Sequence, residues 1–163
     1  MKPKYPLEQL ILIKQRRLEE AERILKEKKE ALEKEKEKQK LLEEARDQTL
    51  RHKEDKMEQL RETLDAGTTS DKIEVMRSYI KVVEEELKQK QKKVQVQMEK
   101  VKEAEEAVEA ARQEMLKKQQ DVEKLKMHRK EWDKEMKAFE TYQEGIETDD
   151  IGTAMHTSKK YKR

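Results

Sequence analysis

Three histidines are the side chains of this sequence best suited to metal binding or to proton transfer near neutral pH. His52 is expected on a first helix, His128 late on a second helix and His156 in the tail. The antiparallel helix pairing that the sequence favours puts His52 near Glu84 and His128 near Glu8, so the histidines lie far apart. The chain has no cysteine, which excludes thiolate ligands and disulfides. We therefore expect no metal site and no nucleophile–base pair.

The abundant carboxylates do not form a better candidate for catalysis. The 38 Asp and Glu residues are interleaved with 40 Lys and Arg residues, and a charged helix face is usually only solvated. With three glycines in the chain, a glycine-rich phosphate-binding loop is absent. We expect a protein that is not an enzyme and that needs no cofactor.

Charge and hydropathy also limit the classes of partner. A formal net charge of +2, with acids and bases on every helical turn and no aromatic platform, is not typical of a nucleic-acid binder. The longest apolar run, residues 10–13, is far shorter than the ~20 residues of a membrane span, and no stretch of signal-peptide length is present. We expect a cytoplasmic protein with no nucleic-acid partner and no direct membrane insertion. A nucleic-acid binder that uses the basic residues 159–163 is a weaker alternative.

A seven-residue apolar repeat dominates the second half of the chain and indicates a coiled coil. Its a positions are Ile73, Ile80, Leu87, Val94, Val101, Val108, Met115, Val122, Arg129 and Met136, and its d positions are Met76, Val83, Lys90, Gln97, Ala104, Ala111, Lys118, Leu125, Trp132 and Phe139. With 48% charged residues, the composition suits long solvated helices rather than a globular interior. The partner helix is predicted to be the first half of the same chain.

The first half of the chain carries a weaker and broader apolar face, closer to the period of an ordinary helix. Gly67 suits the left-handed conformation that ends a helix, so the chain is predicted to reverse at residues 65–70. Antiparallel pairing then brings together Leu64 and Ile73, Met57 and Ile80, Leu50 and Leu87, and Leu42 and Val94, with Gln39 opposite Gln97 as a polar layer. The predicted fold class is all-α: two long helices, at about 6–64 and 71–144, forming an antiparallel coiled-coil hairpin.

The two predicted helices differ in length, which leaves one end of the second helix unpaired. Met136, Phe139 and Tyr142 extend beyond the start of the first helix as an apolar and aromatic tip, which suits contact with a partner. Trp132 lies on the heptad beside that tip, and Tyr79 flanks the core near the turn. These five residues are candidate partner-binding residues.

The tail differs in composition from the hairpin. Residues 1–145 are predicted to form the hairpin domain, and residues 146–163 a mobile tail that contains a Thr-Asp-Asp run and a basic close.

Several segments resemble one family of secretion proteins. The stretch from Asp65 to Asp71, followed by Met76 and by Tyr79-Ile80-Lys81-Val82-Val83, is similar to the hairpin region of type III secretion stalk proteins of the YscO and FliJ family. The likeness is strongest to the version carried by obligate intracellular bacteria. The opening, Tyr5 to Leu10 with Ile13-Lys14, and the segment His128 to Trp132 with Lys134-Glu135 resemble the same group. The resemblance covers about residues 4–140.

The resemblance implies a function as a non-catalytic stalk of a virulence-associated secretion apparatus. Its implied partners are the hexameric type III secretion ATPase, in whose centre it docks, the cytoplasmic domain of the export gate, and secretion chaperones. The implied location is the bacterial cytoplasm, at the cytoplasmic base of the apparatus. The resembling opening segment adds Tyr5, Leu7 and Leu10 to the candidate partner-binding residues.

A structural coiled coil that dimerises as a scaffold or spacer is the alternative function. It requires two full-length parallel helices, and Gly67 with the turn residues around it argues against an unbroken helix.

Overall fold

The computed structural model describes residues 3–161 and contains two helices. Helix α1 comprises Glu8–Ala66 and helix α2 comprises Ser70–Tyr161. The protein is an all-α antiparallel coiled-coil hairpin, so the predicted fold class is confirmed. Helix α1 begins and ends two residues later than predicted, a difference within the usual uncertainty of helix ends.

A three-residue turn, 67–69, reverses the chain between the helices. Gly67 has a φ angle of 81°, in the left-handed region that a residue with a Cβ atom adopts only at a cost. Its backbone N–H donates to the Leu64 carbonyl at 3.3 Å, and the Ile73 N–H donates to the Thr69 carbonyl at 3.3 Å. The predicted role of Gly67 in ending α1 is therefore confirmed.

The chain divides into two compact units, each built from parts of both helices. The turn unit is Glu22–Gln113, and the terminal unit is Met1–Ala21 together with Glu114–Arg163. In the turn unit, α2 buries the heptad positions that the sequence marks as core. These are Ile80, Val83, Leu87, Val94, Gln97, Val101 and Val108.

Several apolar residues of α1 in the turn unit lie at the surface. Leu50, Met57 and Leu64 are exposed, although the sequence paired them with core residues of α2. From Thr49 to Thr63, the buried and half-buried positions of α1 alternate in steps of four and three: Thr49, Lys53, Lys56, Leu60 and Thr63. A coiled coil needs this period on both helices, so apolar residues outside the stripe remain at the surface. Met57 and Leu64 still line one groove with Ile80, so these side chains lie at the edge of the helix interface rather than in its core.

Polar side chains in this stripe have partners on α2. Lys90 Nζ donates to Thr49 Oγ1 at 2.7 Å, and Lys53 pairs with Glu84 at 3.7 Å. Long lysine and arginine stems also cover apolar surface while their charged ends stay in water. The polar stretch of α1 is therefore compatible with a buried valine and isoleucine row on α2.

Gln97 forms a polar layer in the core of the turn unit, but not with the predicted partner. Its amide donates to both the backbone carbonyl of Glu35 at 2.9 Å and the Glu35 carboxylate at 2.6 Å. Gln39 instead donates to Glu43, one turn further along α1, at 2.9 Å. The predicted Gln39–Gln97 hydrogen bond is replaced because Glu35 offers two acceptors to the same amide.

The terminal unit has a more apolar core. Ile11 and Ala21 are buried on α1, Val122 is buried on α2, and Tyr5 is buried just before α1 begins. Lys14 and Asp121 form an ion pair between the helices at 3.7 Å. The ion pair links the start of α1 to the later part of α2, and the two segments run antiparallel.

Helix α2 continues to Tyr161, whereas the sequence predicted its end near Glu144. Gly145 and Gly152 lie inside the helix with open space around them, where a glycine costs only about 1 kcal/mol relative to alanine. No proline follows to stop the helix. Residues 141–160 are all exposed, and the mobility expected of this segment stays a prediction. Among the described residues, no helix has an apolar stretch long enough to cross a bilayer.

Candidate partner-binding surfaces

An aromatic cluster in the terminal unit joins the residues before α1 to the later part of α2. Tyr5 is only 5% exposed, and its ring meets the Trp132 ring edge-on with 5.4 Å between centroids. The Tyr5 hydroxyl forms a hydrogen bond with Nδ1 of His128, and the Arg129 guanidinium lies 5.8 Å from the centroid of the Tyr5 ring. Tyr5 is therefore an internal anchor that holds the start of the chain against α2.

An ion pair beside the cluster fixes the first turn of α1. Arg129 Nη1 lies 2.8 Å from both carboxylate oxygens of Glu8, and the Glu8 N–H donates to the Tyr5 carbonyl at 3.3 Å. Leu7, a candidate partner-binding residue, is half-buried here, whereas Leu10 is exposed. Leu10 is thus available for a partner, and Leu7 only in part.

A shallow groove runs from this cluster along α2. It is lined by Pro3, Tyr5, Arg129, Trp132, Asp133, Met136, Lys137 and Glu140. Trp132 and Met136 are half-buried in it. The structure thus brings together Tyr5, Trp132 and Met136 of the candidate residues.

Beyond the groove, the aromatic side chains of α2 are exposed. Phe139 is 53% exposed and Tyr142 is 66% exposed. Ile146, which is not among the candidate partner-binding residues, is 41% exposed and lies one heptad after Phe139. Its place on the heptad was the signal that could have identified it.

Tyr79 belongs to the turn unit, apart from the other candidates. Its hydroxyl lies 2.8 Å from Nε2 of His52, and Lys56 Nζ is 5.5 Å from the centroid of its ring. Tyr79 remains 45% exposed, so part of its side chain is accessible.

The two histidine environments differ from the predicted ones in the same way. His52 contacts Tyr79, while its neighbour Lys53 takes the predicted partner Glu84. In the terminal unit, His128 contacts Tyr5, while Arg129 binds Glu8. In each case, the next residue along the helix forms the ion pair with the carboxylate that the sequence places near the histidine.

The structure offers no arrangement typical of a metal site in residues 3–161. No group of three or more His, Asp or Glu side chains is positioned to hold a metal ion there. The charged side chains form surface ion pairs, many of them within one helix. Contact with other macromolecules is the function that this surface suits best.

Comparison with known proteins identifies the group to which this hairpin is related. A family profile for YscO-like proteins matches residues 2–162. The chain belongs to the YscO-like family. A solved structure of CT670 from Chlamydia trachomatis, described as a proposed YscO homologue, is 42% identical and has a TM-score of 0.92. The match covers 99% of this chain and 99% of that one.

Comparison with curated proteins gave no match. Membership in the YscO-like family makes the chain a type III secretion protein of the stalk type, and the family consists of structural components of that apparatus. The resemblance inferred from the sequence is confirmed.

Proposed function

We propose that this YscO-like protein is a non-catalytic stalk that docks in the hexameric ATPase of a type III secretion apparatus. In this role it couples the ATPase to the export gate and its chaperones, in the bacterial cytoplasm at the base of the apparatus. The observation that carries the proposal is the match to a solved YscO-type hairpin over 99% of both chains.

The surface of the terminal unit supports docking by this end of the chain. Phe139 and Tyr142 are exposed aromatic side chains, a type enriched at the centre of protein interfaces. Charged side chains of α2 in this unit, such as Lys130, Glu131 and Lys134, are exposed, and ion pairs formed by exposed side chains contribute about 1 kcal/mol or less. Contacts of this strength with a ring are exchangeable, which a coupling element requires.

Binding to the ATPase of the same bacterium tests the proposal. We expect the protein to form a complex with the ATPase hexamer by light scattering and to raise its rate of ATP hydrolysis. Absence of a complex across concentrations at which the hexamer is assembled would contradict the proposed function.

Replacement of Phe139 and Tyr142, both exposed, by alanine tests the docking residues. We expect the double variant to lose ATPase affinity by about tenfold or more, which is about 1.4 kcal/mol, with helicity retained. The matched control, Val82→Ala, removes an exposed apolar side chain from the turn unit and is expected to bind normally. A parallel loss of helicity and binding would remove these residues from the interface.

A scaffold that dimerises through unbroken parallel helices is not supported by the fold. The turn at residues 67–69 interrupts the helix that such a dimer requires. In the hairpin, the buried heptad positions of α2 pack against α1 of the same chain.

A further inference from the structure

One segment of α2 departs from the charge balance of the rest of the chain. Between Lys137 and Lys159 there is no lysine or arginine, whereas five carboxylates occur there. These are Glu140, Glu144, Glu147, Asp149 and Asp150. The whole chain has 40 basic and 38 acidic residues, so this acidic segment is a local feature rather than a consequence of overall composition.

The acidic carboxylates lack internal partners. In the described part of the chain, none of the five forms an ion pair, although ion pairs occur along both helices before this segment. Four of them are exposed, and Glu140 is half-buried at the edge of the terminal groove. Their negative charge is therefore presented to solvent or to a partner.

Apolar side chains share this segment and follow helical spacing. Phe139, Tyr142 and Ile146 are separated by three and four residues, so they lie on one face of α2. All three are exposed, and they continue the row that begins with Met136 in the groove. The segment thus combines a row of apolar anchors with flanking negative charge.

The heptad shows that this row consists of core-type positions without a partner among residues 3–161. Phe139 and Ile146 occupy d positions, which in a coiled coil pack against a second helix. Tyr5 and Pro3 contact the groove beside Met136, and Pro3 is the first described residue at this end of the chain. Residues 139–150 of α2 therefore present core-type positions that no described residue covers.

We propose that residues 136–150 of α2 form a docking strip for an amphipathic helix of a partner protein, whose apolar face is flanked by lysine and arginine. Helix-in-groove recognition uses apolar anchors at this spacing, and opposite charges flanking them select the partner and its orientation. The inference deepens the proposed function and rests on it for the expectation that a protein partner exists.

Other occupants fit this surface less well. A second copy of the chain would bring the same five carboxylates against the strip, and like charges across an interface are unfavourable. Nucleic acid and anionic membranes are repelled for the same reason. A basic helix is the occupant that matches both the apolar row and the charge.

Two synthetic helical peptides provide the probes. Both carry leucine at the a and d positions, and the flanking positions are all lysine in one and all glutamate in the other. Trp132 is the single tryptophan of the chain and lies just before the strip, so its fluorescence reports binding directly. We expect the lysine peptide to bind at least about tenfold more tightly than the glutamate peptide at low salt.

Two pairs of substitutions separate the contributions to binding. Phe139→Ala with Ile146→Ala removes two exposed anchors and is expected to weaken the lysine peptide about tenfold, with helicity unchanged. Glu140→Lys with Glu147→Lys is expected to reverse the preference between the peptides. The matched control, Glu103→Lys with Glu106→Lys, makes the same charge change at exposed positions of the turn unit and leaves the preference unchanged.

Three results would overturn the proposal. These are equal binding of the two peptides, an unchanged preference in the Glu140→Lys and Glu147→Lys variant, and self-association that Phe139→Ala with Ile146→Ala abolishes. The last result would identify a second copy as the occupant.

The ATPase experiment is separate from the peptide experiment. A complex with the ATPase but no peptide discrimination refutes the strip and leaves the stalk function intact. Peptide discrimination without an ATPase complex refutes the stalk function and leaves the strip intact.

Discussion

The two units of this hairpin cover the same α2 heptad with different chemistry. In the terminal unit, Tyr5 and Ile11 are buried against α2 and the core is apolar and aromatic. In the turn unit, Thr49 and Glu35 occupy stripe positions and bond to Lys90 and Gln97 of α2. An apolar row on one helix therefore does not require an apolar row on the other, provided that the facing polar groups have partners.

This contrast has consequences for stability and specificity. No buried polar side-chain atom in residues 3–161 lacks a hydrogen-bond partner, so the polar layers carry no unpaired group. Polar layers of this kind fix the register of a coiled coil at some cost in stability. A buried aromatic side chain contributes more to stability than a smaller side chain does. We therefore expect fewer residues to account for the stability of the terminal unit than for that of the turn unit.

The largest effect is expected from Tyr5. Tyr5→Ala removes a buried ring that packs on Trp132, and we expect a loss of about 3 kcal/mol in the free energy of unfolding. Urea denaturation followed by circular dichroism measures this loss. The matched control, Tyr79→Ala, removes a ring that is 45% exposed and is expected to cost less than about 1 kcal/mol. Equal losses from the two tyrosines would refute the contrast between the units.

A smaller effect is expected from a valine in the turn unit. Val94 is one of the most buried side chains, and Val94→Ala is expected to cost about 2 kcal/mol through lost burial and the cavity that remains. Val96→Ala, two residues along the same helix, changes an exposed side chain and is expected to cost less than about 0.5 kcal/mol. The same denaturation experiment compares them. A cost at Val94 as small as that at Val96 would show that the polar α1 stripe does not enclose α2.

The smallest effects are expected from two glycines, with opposite signs. A Cβ atom added at Gly67 or at Gly145 would have no other atom within 4 Å, so the backbone alone decides the outcome. Gly67→Ala is expected to destabilise by about 1 kcal/mol because of its positive φ angle. Gly145→Ala is expected to stabilise the helix locally by up to about 1 kcal/mol.

Hydrogen exchange around each glycine measures these changes in local stability. Destabilisation by Gly145→Ala would indicate that α2 does not continue through this residue.

The sequence predicted α2 more successfully than α1. From Ile73 to Val122 every a position of α2 is apolar, so both the heptad and the buried face could be identified. The stripe of α1 contains Thr49 and Lys53, residue types that resemble a solvated face. Leu50 and Met57, one position to the side, are predicted to flank the core because apolar residues are usually buried, but both are exposed. The geometry of α2, rather than the composition of α1, decides which face is covered.

The candidate surface was predicted in part. The heptad and the difference in helix length identify Phe139 and Tyr142, which the structure shows as exposed. Tyr5 was predicted as a contact residue from a resemblance, whereas the fold buries it against Trp132 and His128. Its burial depends on a short non-helical segment before α1 that has no periodic signal. Ile146 was missed because Gly145 suggested the end of the helix.

Hydrogen exchange on the free protein and on its complex with the type III secretion ATPase tests the central claim most directly. In the free protein, we expect fast exchange after Phe139, where residues 141–160 are exposed, and slower exchange in the buried rows of both units. Addition of the ATPase is expected to protect residues 132–150 and to leave residues 70–82 unchanged. Protection of residues 70–82 alone, with residues 132–150 exchanging as before, would contradict the assignment of the partner surface to the terminal unit.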